Sequence, residues 1–243
     1  MRTLHIIMPM AGEGSRFKKE GWETPKPLIS LHGIPLFLRA INSVVTESIS
    51  AKYSFIVREE HIHQYHIDNM ILMNIPGARI FSVEKTTRGA VETCLVAETN
   101  IGEDDAIIVM DCDLEFKSSR FDYLIKESLS QKPEDSIKGV LVSFNSNSPK
   151  YSYAEIDNNG MVVRTAEKEV ISSHALCGAY FFGSGSCFLS AAHALLKEPC
   201  FKKPEYYVSL LYNKIIREGG DVRLAEMEEY YSYGTPEELK KHM

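Results

Sequence analysis

The chain has 243 residues, 44% of them hydrophobic and 25% charged, and a formal net charge of −6, the make-up of an ordinary soluble globular protein. With no global basic field, nucleic acid and anionic membranes are poor partners, and any anionic ligand must be held by a local cluster of donors. Five cysteines (Cys94, Cys112, Cys177, Cys187 and Cys200) form no CxxC pair, and no apolar run approaches 18 residues; together these argue for reduced thiols, no membrane span and a cytoplasmic location.

In chain order, the apolar stretch Leu4–Met10 is short and lacks a cleavage pattern, so it reads as a buried strand over Leu4–Pro9 rather than a signal peptide. A Gly-rich loop follows, then turns at Pro25-Lys26-Pro27 and Gly33-Ile34-Pro35. Leu36, Leu38, Ala40, Ile41, Val44 and Val45 predict a helix from Pro35 to about Glu47. Strands are predicted at Tyr53–Val57 and Ala78–Val83, and helices at His61–Met73 and Ala90–Glu98. The almost wholly apolar strand Ala106–Met110 ends at Asp111-Cys112-Asp113. Such alternation implies a parallel sheet with helices on both faces, and ligands in these sheets bind beyond the carboxyl ends of strands.

The second half changes character. A strand is predicted over Gly139–Phe144, and two more, Ala154–Asp157 and Met161–Thr165, flank Asn158-Asn159-Gly160, a strong hairpin signal. Gly178–Phe182 reads as a further strand and Tyr206–Glu218 as a helix. No repeat, low-complexity stretch or long linker appears. The expected fold is α/β, with a mixed, mostly parallel central sheet, helices on both faces and a small antiparallel acceptor-side sheet. A single domain over 1–243 is the simpler organisation, with halves at about 1–115 and 116–243.

Two clusters carry chemistry. Gly12-Glu13-Gly14-Ser15-Arg16 follows the first strand, where glycine lets backbone N–H groups approach an anion. Arg16 supplies a planar fork for phosphate oxygens, and Lys26 adds a second cation. Neither the Walker pattern nor the dinucleotide fingerprint fits, and a bare Gly-x-Gly suits a plain strand-to-helix turn equally well. At the other cluster, Asp111 and Asp113 are like charges that need a cation or strong donors; Mg²⁺ suits such hard oxygens.

Met10-Ala11-Gly12-Glu13-Gly14-Ser15-Arg16-Phe17 followed by Pro25-Lys26-Pro27-Leu28 resembles the two-part signature of the sugar-phosphate nucleotidyltransferases. That resemblance implies that Met10, Ala11, Gly12, Gly14, Ser15, Arg16 and Lys26 hold a nucleoside triphosphate, with Arg16 near the departing pyrophosphate. It places Asp113 on the metal and Asp111 beside the nucleotide. Thr87–Thr93 resembles the family's segment next to the base, making Arg88 and Gly89 nucleotide contacts. Tyr153, the pair Glu167-Lys168 and Gly178 are similar to its acceptor side: Lys168 would neutralise the attacking phosphate, and Glu167 would meet an acceptor hydroxyl.

The chain departs from the family at Ser232, where an aspartate commonly supplies a second metal ligand two residues before Gly234. Asp111, a nearby carboxylate such as Glu228, or substrate phosphates would then complete the shell. The resemblance implies transfer of a nucleoside monophosphate to a phosphorylated small molecule, a sugar 1-phosphate by default, in nucleotide-sugar synthesis for surface polysaccharide. Phosphocholine is an alternative acceptor, and Tyr151, Tyr153, Tyr180 and Trp22 are candidate pocket residues. Two other readings compete: a metal-dependent glycosyltransferase, which uses a similar Asp-x-Asp strand end, and a non-catalytic nucleotide-binding regulator. The base of the nucleotide and the oligomeric state, including a homo-oligomer, stay open.

Overall fold

A computed structural model describes residues 2–44, 49–198 and 205–243. The first half runs β1 (Leu4–Pro9), α1 (Ser15–Lys19), β2 (Ser30–Leu31), β3 (Ile34–Pro35), α2 (Leu36–Asn42), β4 (Ala51–Arg58), α3 (Glu59–Tyr65), α4 (Ile67–Asn74), β5 (Arg79–Val83), α5 (Ala90–Leu95), β6 (Ala106–Met110) and β7 (Leu114–Lys117). Then come α6 (Ser119–Ser130), β8 (Gly139–Asn145), β9 (Ser152–Ile156), β10 (Val162–Glu167), β11 (His174–Phe182), α7 (Gly185–Lys197), α8 (Leu211–Arg217), β12 (Val222–Glu226), β13 (Glu229–Ser232) and α9 (Pro236–Lys240).

The expected α/β architecture is present. Strands β6, β1, β4 and β5 pair side by side and parallel. Alternation along β1 sorts its residues between two cores, as a strand's period of two requires. Leu4, Ile6 and Met8 pack with Phe37 and Ile41 of α2, Ile67 and Ile71 of α4, and Phe121 and Leu124 of α6. Ile7 points the other way, into a cluster with Val91 and Cys94 of α5, Phe188 of α7, and Leu211 and Ile215 of α8. Each large apolar side chain so buried contributes about 1.5–3 kcal/mol.

The sheet continues antiparallel beyond β6. β11 pairs with β6, β8 and β9, β9 pairs with β10, and β12 lies parallel to β8. The predicted hairpin is therefore an extension of the main sheet. Its turn is fixed by Asp157, whose carboxylate accepts from the backbone N–H of Asn159 at 2.8 Å and of Met161 at 2.9 Å. Separate small antiparallel sheets are formed by β7 with β13 and by β2 with β3.

Several boundaries differ from expectation. The helix predicted to reach Glu47 is α2; Val45–Glu47 lie outside the described residues, as does Cys200. The single helix predicted over His61–Met73 is two, because His66 takes a left-handed φ of 50° and turns the chain between α3 and α4. The helix predicted from Tyr206 starts at Leu211. Tyr206 is instead held extended, its N–H donating to the Arg88 carbonyl at 2.8 Å and its carbonyl accepting from Val91 N–H at 3.1 Å. Cys94, Cys112, Cys177 and Cys187 are free thiols. No helix among the described residues is long and apolar enough to cross a membrane.

Candidate active site

The site forms where β11 changes partner. It pairs with β6 through Ala179–Phe182 and with β9 through His174 and Ala175. Around Cys177 and Gly178, β6 has ended and β9 has not begun, so the sheet opens into a cleft of about 240 Å³. Arg16, Asp111, Asp113, Lys150, Tyr151, Ser152, Glu167, Gly178, Ser232 and Glu238 are among its lining residues.

In the loop after β1, Gly14 adopts φ 63° and its carbonyl accepts from the N–H groups of Phe17 and Lys18, starting α1. That left-handed turn, natural for glycine, sends Arg16 into the cleft. Ser15 opens α1. Met10 and Ala11 are buried, so their backbone, not their side chains, borders the loop; the Met10 N–H is itself taken by the Ile56 carbonyl at 2.7 Å. Nothing lies within 4 Å of where a Cβ on Gly12 would point, which leaves the loop's face open.

Pro25 leads into a 3-10 turn over Lys26–Leu28, and Lys26 Nζ reaches Asp113 Oδ2 at 2.6 Å. Burial works against charge on both groups. For Lys26 the Asp113 carboxylate outweighs it and holds the amine above its usual range; for Asp113 the Lys26 charge and hydrogen bond hold the carboxyl below its own. Asp111 behaves oppositely. Burial and the neighbouring Asp113 charge push it up to about 7, with Lys26 only partly countering them.

Gly178 explains how Asp111 fits. Its φ is +99°, and a Cβ there would come within 2.5 Å of Asp111 Oδ2. Gly178 thus lines the cleft and also makes room for the carboxylate. A Gly178→Ala protein is expected to lose about 1–3 kcal/mol of stability through backbone strain, with a further loss from the contact with Asp111. Thermal unfolding tests this, and an unchanged midpoint contradicts it.

The donor set fits a divalent ion of the Mg²⁺ type. Among the described residues no hydrogen bond satisfies the Asp111 carboxylate, while Lys26 occupies only Oδ2 of Asp113. No group of three or more His, Cys, Asp or Glu side chains is placed to hold a metal among the described residues. Mg²⁺ characteristically takes one or two carboxylates and fills its shell with water and phosphate oxygens. Glu228, suggested as a replacement ligand, is elsewhere: it accepts from the backbone N–H of Ser119 at 2.9 Å, at the start of α6. Ser232 instead donates to Glu238 Oε2 at 2.8 Å.

Across the cleft, Glu167 accepts from the hydroxyls of Ser152 at 2.5 Å and Ser209 at 3.0 Å. Tyr151, Tyr180, Tyr207 and Tyr230 add aromatic walls. Two expectations need correction. Tyr153 is fully buried, with its hydroxyl donating to the Ser148 carbonyl at 2.8 Å, because strand alternation turns it away while Ser152 lines the cleft. Trp22 packs edge-on against Phe17, ring centroids 5.6 Å apart. Lys168 has a left-handed φ of 56°, and its Nζ donates at 2.6 Å to the hydroxyl of Tyr207, a wall that the cleft shares with an adjoining cavity.

Arg88 is half-exposed, bound to Glu92 at 2.7 Å and 5.1 Å from the Tyr206 ring centroid. Gly89 is required by packing, since a Cβ there would sit 2.5 Å from Tyr206 N. Neither lines the cleft, although Ala90 does. Lys150 and Glu238 were missed: Lys150 stands in a turn among polar residues, and Glu238 reads as the third position of a helix cap. It does fill that role, its N–H donating to Thr235 Oγ1 at 3.2 Å, but its carboxylate also faces the cleft.

Cations from an early loop, paired carboxylates at a strand end and an aromatic far wall meet in one cleft of the α/β sheet. Residues 5–210 match the nucleotidyl transferase family, and the chain belongs to it. Among solved structures, it is similar to a nucleoside-diphosphate-sugar pyrophosphorylase from Vibrio cholerae RC9, with 26% identity, a TM-score of 0.83 and 98% of each chain covered. A protein described as a glucose-1-phosphate thymidylyltransferase from Bacillus anthracis shares the fold, with 20% identity, a TM-score of 0.77, and 99% of this chain and 93% of that one covered. So does the inositol-1-phosphate CTP transferase from T. maritima, with 15% identity, a TM-score of 0.73, and 100% and 94% covered. No curated protein sequence matches the chain.

Proposed function

We propose that this nucleotidyl transferase family member is a Mg²⁺-dependent enzyme that joins a nucleoside monophosphate to a phosphorylated small molecule, with a sugar 1-phosphate as the first choice of acceptor. The reading rests on one observation above all: Lys26, from the early loop, bonds Asp113 at 2.6 Å in the cleft that also holds Arg16 and Asp111. The whole chain works as one unit, the first half binding nucleotide and the second binding acceptor. The similar pyrophosphorylase from Vibrio cholerae supports a sugar-linked product, and surface polysaccharide is the natural use of such a nucleotide sugar. A cytoplasmic location accords with the free thiols.

An acceptor phosphate oxygen attacks the α-phosphorus in line. The new O–P bond forms as the bond to the β-phosphate breaks, and pyrophosphate leaves with the electron pair. The attacking phosphate is already ionised at neutral pH, so no covalent enzyme intermediate is needed; the protein's work is positioning and charge neutralisation. Asp113 and Asp111 would hold a divalent ion, which would supply positive charge to the phosphates. Arg16 and Lys26 place and neutralise the triphosphate. Glu167, fixed by two serine hydroxyls, meets an acceptor hydroxyl.

The test is pyrophosphate release from a panel of triphosphates and acceptors, with Mg²⁺ or with a chelator. Acceptor-dependent release that the chelator abolishes is expected. Release of nucleoside diphosphate would indicate glycosyl transfer instead, and tight nucleotide binding without turnover would indicate a regulator.

A further inference from the structure

We propose that Arg58, at the end of β4, tunes the affinity for the triphosphate by holding the Glu13 carboxylate, through Thr86, away from the loop that takes the phosphates. The inference rests on the nucleotidyl-transfer reading above and adds a positioning residue to it.

Sheet order makes Arg58 a bridge. β4 lies between β1 and β5, all three parallel, so the turns leaving β1 and β5 flank its carboxyl end. β4 contributes no loop there, because α3 begins at the next residue, Glu59. The Arg58 side chain takes that place. It is only 13% exposed, and its Nε is buried with no hydrogen-bond partner among the described residues. Nη1 reaches both flanking turns, donating to the Ala11 carbonyl at 3.5 Å after β1 and to Thr86 Oγ1 at 3.0 Å after β5. Nη2 donates to Glu60 Oε2 at 3.4 Å, and the other oxygen of Glu60 lies 3.8 Å from Lys18 of α1.

Thr86 carries the contact one step further, since its hydroxyl lies 2.9 Å from Glu13 Oε1. Chemistry fixes the direction of this relay. A guanidinium only donates and a carboxylate only accepts, so the hydroxyl accepts from Arg58 and gives its one proton to Glu13. Glu13 stands between the two glycines of the loop and is exposed. A carboxylate there opposes the triphosphate that the loop's N–H groups, Arg16 and Lys26 are to hold, because like charges repel. Nothing lies within 4 Å of where a Cβ on Gly12 would point, so an untethered Glu13 side chain is free to swing across the loop's open face. The relay pins it to the turn after β5 instead. Arg58 thus acts on the phosphates through Thr86 and Glu13.

The test is the triphosphate KM, from initial-rate pyrophosphate release at saturating glucose 1-phosphate, inositol 1-phosphate or phosphocholine, with whichever of ATP, CTP, GTP, UTP or dTTP the unaltered protein uses. Arg58→Met and Thr86→Val each break the relay and are expected to raise that KM about five-fold or more, with kcat and the acceptor KM little changed. Adding Glu13→Gln to either variant is expected to reverse most of the rise, because the released side chain no longer carries charge. A purely structural Arg58 would not respond to Glu13 in this way. Thermal unfolding verifies that each variant folds; Thr86 is exposed, so Thr86→Val with and without Glu13→Gln carries the comparison even if Arg58→Met does not fold. An unchanged triphosphate KM in Thr86→Val, or a rise that Glu13→Gln does not reverse, overturns the assignment while leaving nucleotidyl transfer standing. Absence of pyrophosphate release by the unaltered protein with every triphosphate and acceptor overturns both.

Discussion

Replacing Lys26 with alanine is expected to lower turnover by about a hundred-fold or more, the usual cost of losing one preorganised charge in an active site. Two effects combine. The triphosphate loses a cation placed by the Pro25 turn, and Asp113 loses the partner that lies 2.6 Å away. Both side chains are largely sheltered, at 20% and 17% exposed, so leaving one charge behind is costly; breaking a buried pair removes about 3–5 kcal/mol, and partial exposure lowers that figure here. Pyrophosphate-release kinetics and thermal unfolding measured together separate the two effects. Added Mg²⁺ should recover stability, by meeting Asp113's charge, without recovering turnover. Turnover near that of the unaltered protein would remove Lys26 from the mechanism.

The second large effect concerns Asp111 and pH. Its carboxyl is pushed up to about 7 in the folded protein, against about 3.9 in an unfolded chain. The folded state therefore holds this proton more tightly, and ionising Asp111 costs stability. That cost is absent below about pH 4, grows as pH rises towards 7 and is fully present above it. Asp111→Asn removes the ionisation, so the variant should melt higher than the unaltered protein at pH 8 and close to it at pH 4. The gain is on the order of a few kcal/mol, or several degrees for a chain of this length. Mg²⁺ should stabilise the unaltered protein more than the variant at pH 8. A variant that melts lower at pH 8, with Mg²⁺ indifferent to the change, would show that Asp111 carries no such charge.

Asp111 also shows where sequence reading reaches and where it stops. The apolar run Ala106–Met110 predicts a strand whose end releases two aspartates, and it does. The strand cannot reveal that Gly178, on a strand arriving 67 residues later in the chain, vacates the volume Asp111 needs. Spacing likewise predicts that Arg16 and Lys26 share a loop region, because both are local to β1. Contacts closed by tertiary packing are not local in this way. Tyr153 is one residue from Ser152, and strand parity turns one away from the cleft and the other towards it. His66 takes a left-handed backbone angle that breaks an otherwise continuous helical pattern, and its residue type does not advertise it. Elements α6 and α7 are each capped by a serine, Ser118 and Ser184, whose hydroxyl accepts from a first-turn N–H.

The pairing of β13 with β7 has a consequence for how this protein's identity relates to its competence. The family match ends at residue 210, and both signature loops lie well before it. Yet Tyr233 N–H donates to the Asp113 carbonyl at 2.8 Å, and Tyr230, Ser232, Gly234 and Glu238 form one wall of the cleft. A polypeptide retaining both signature loops but ending near 210 would still match the family while lacking this wall of the cleft.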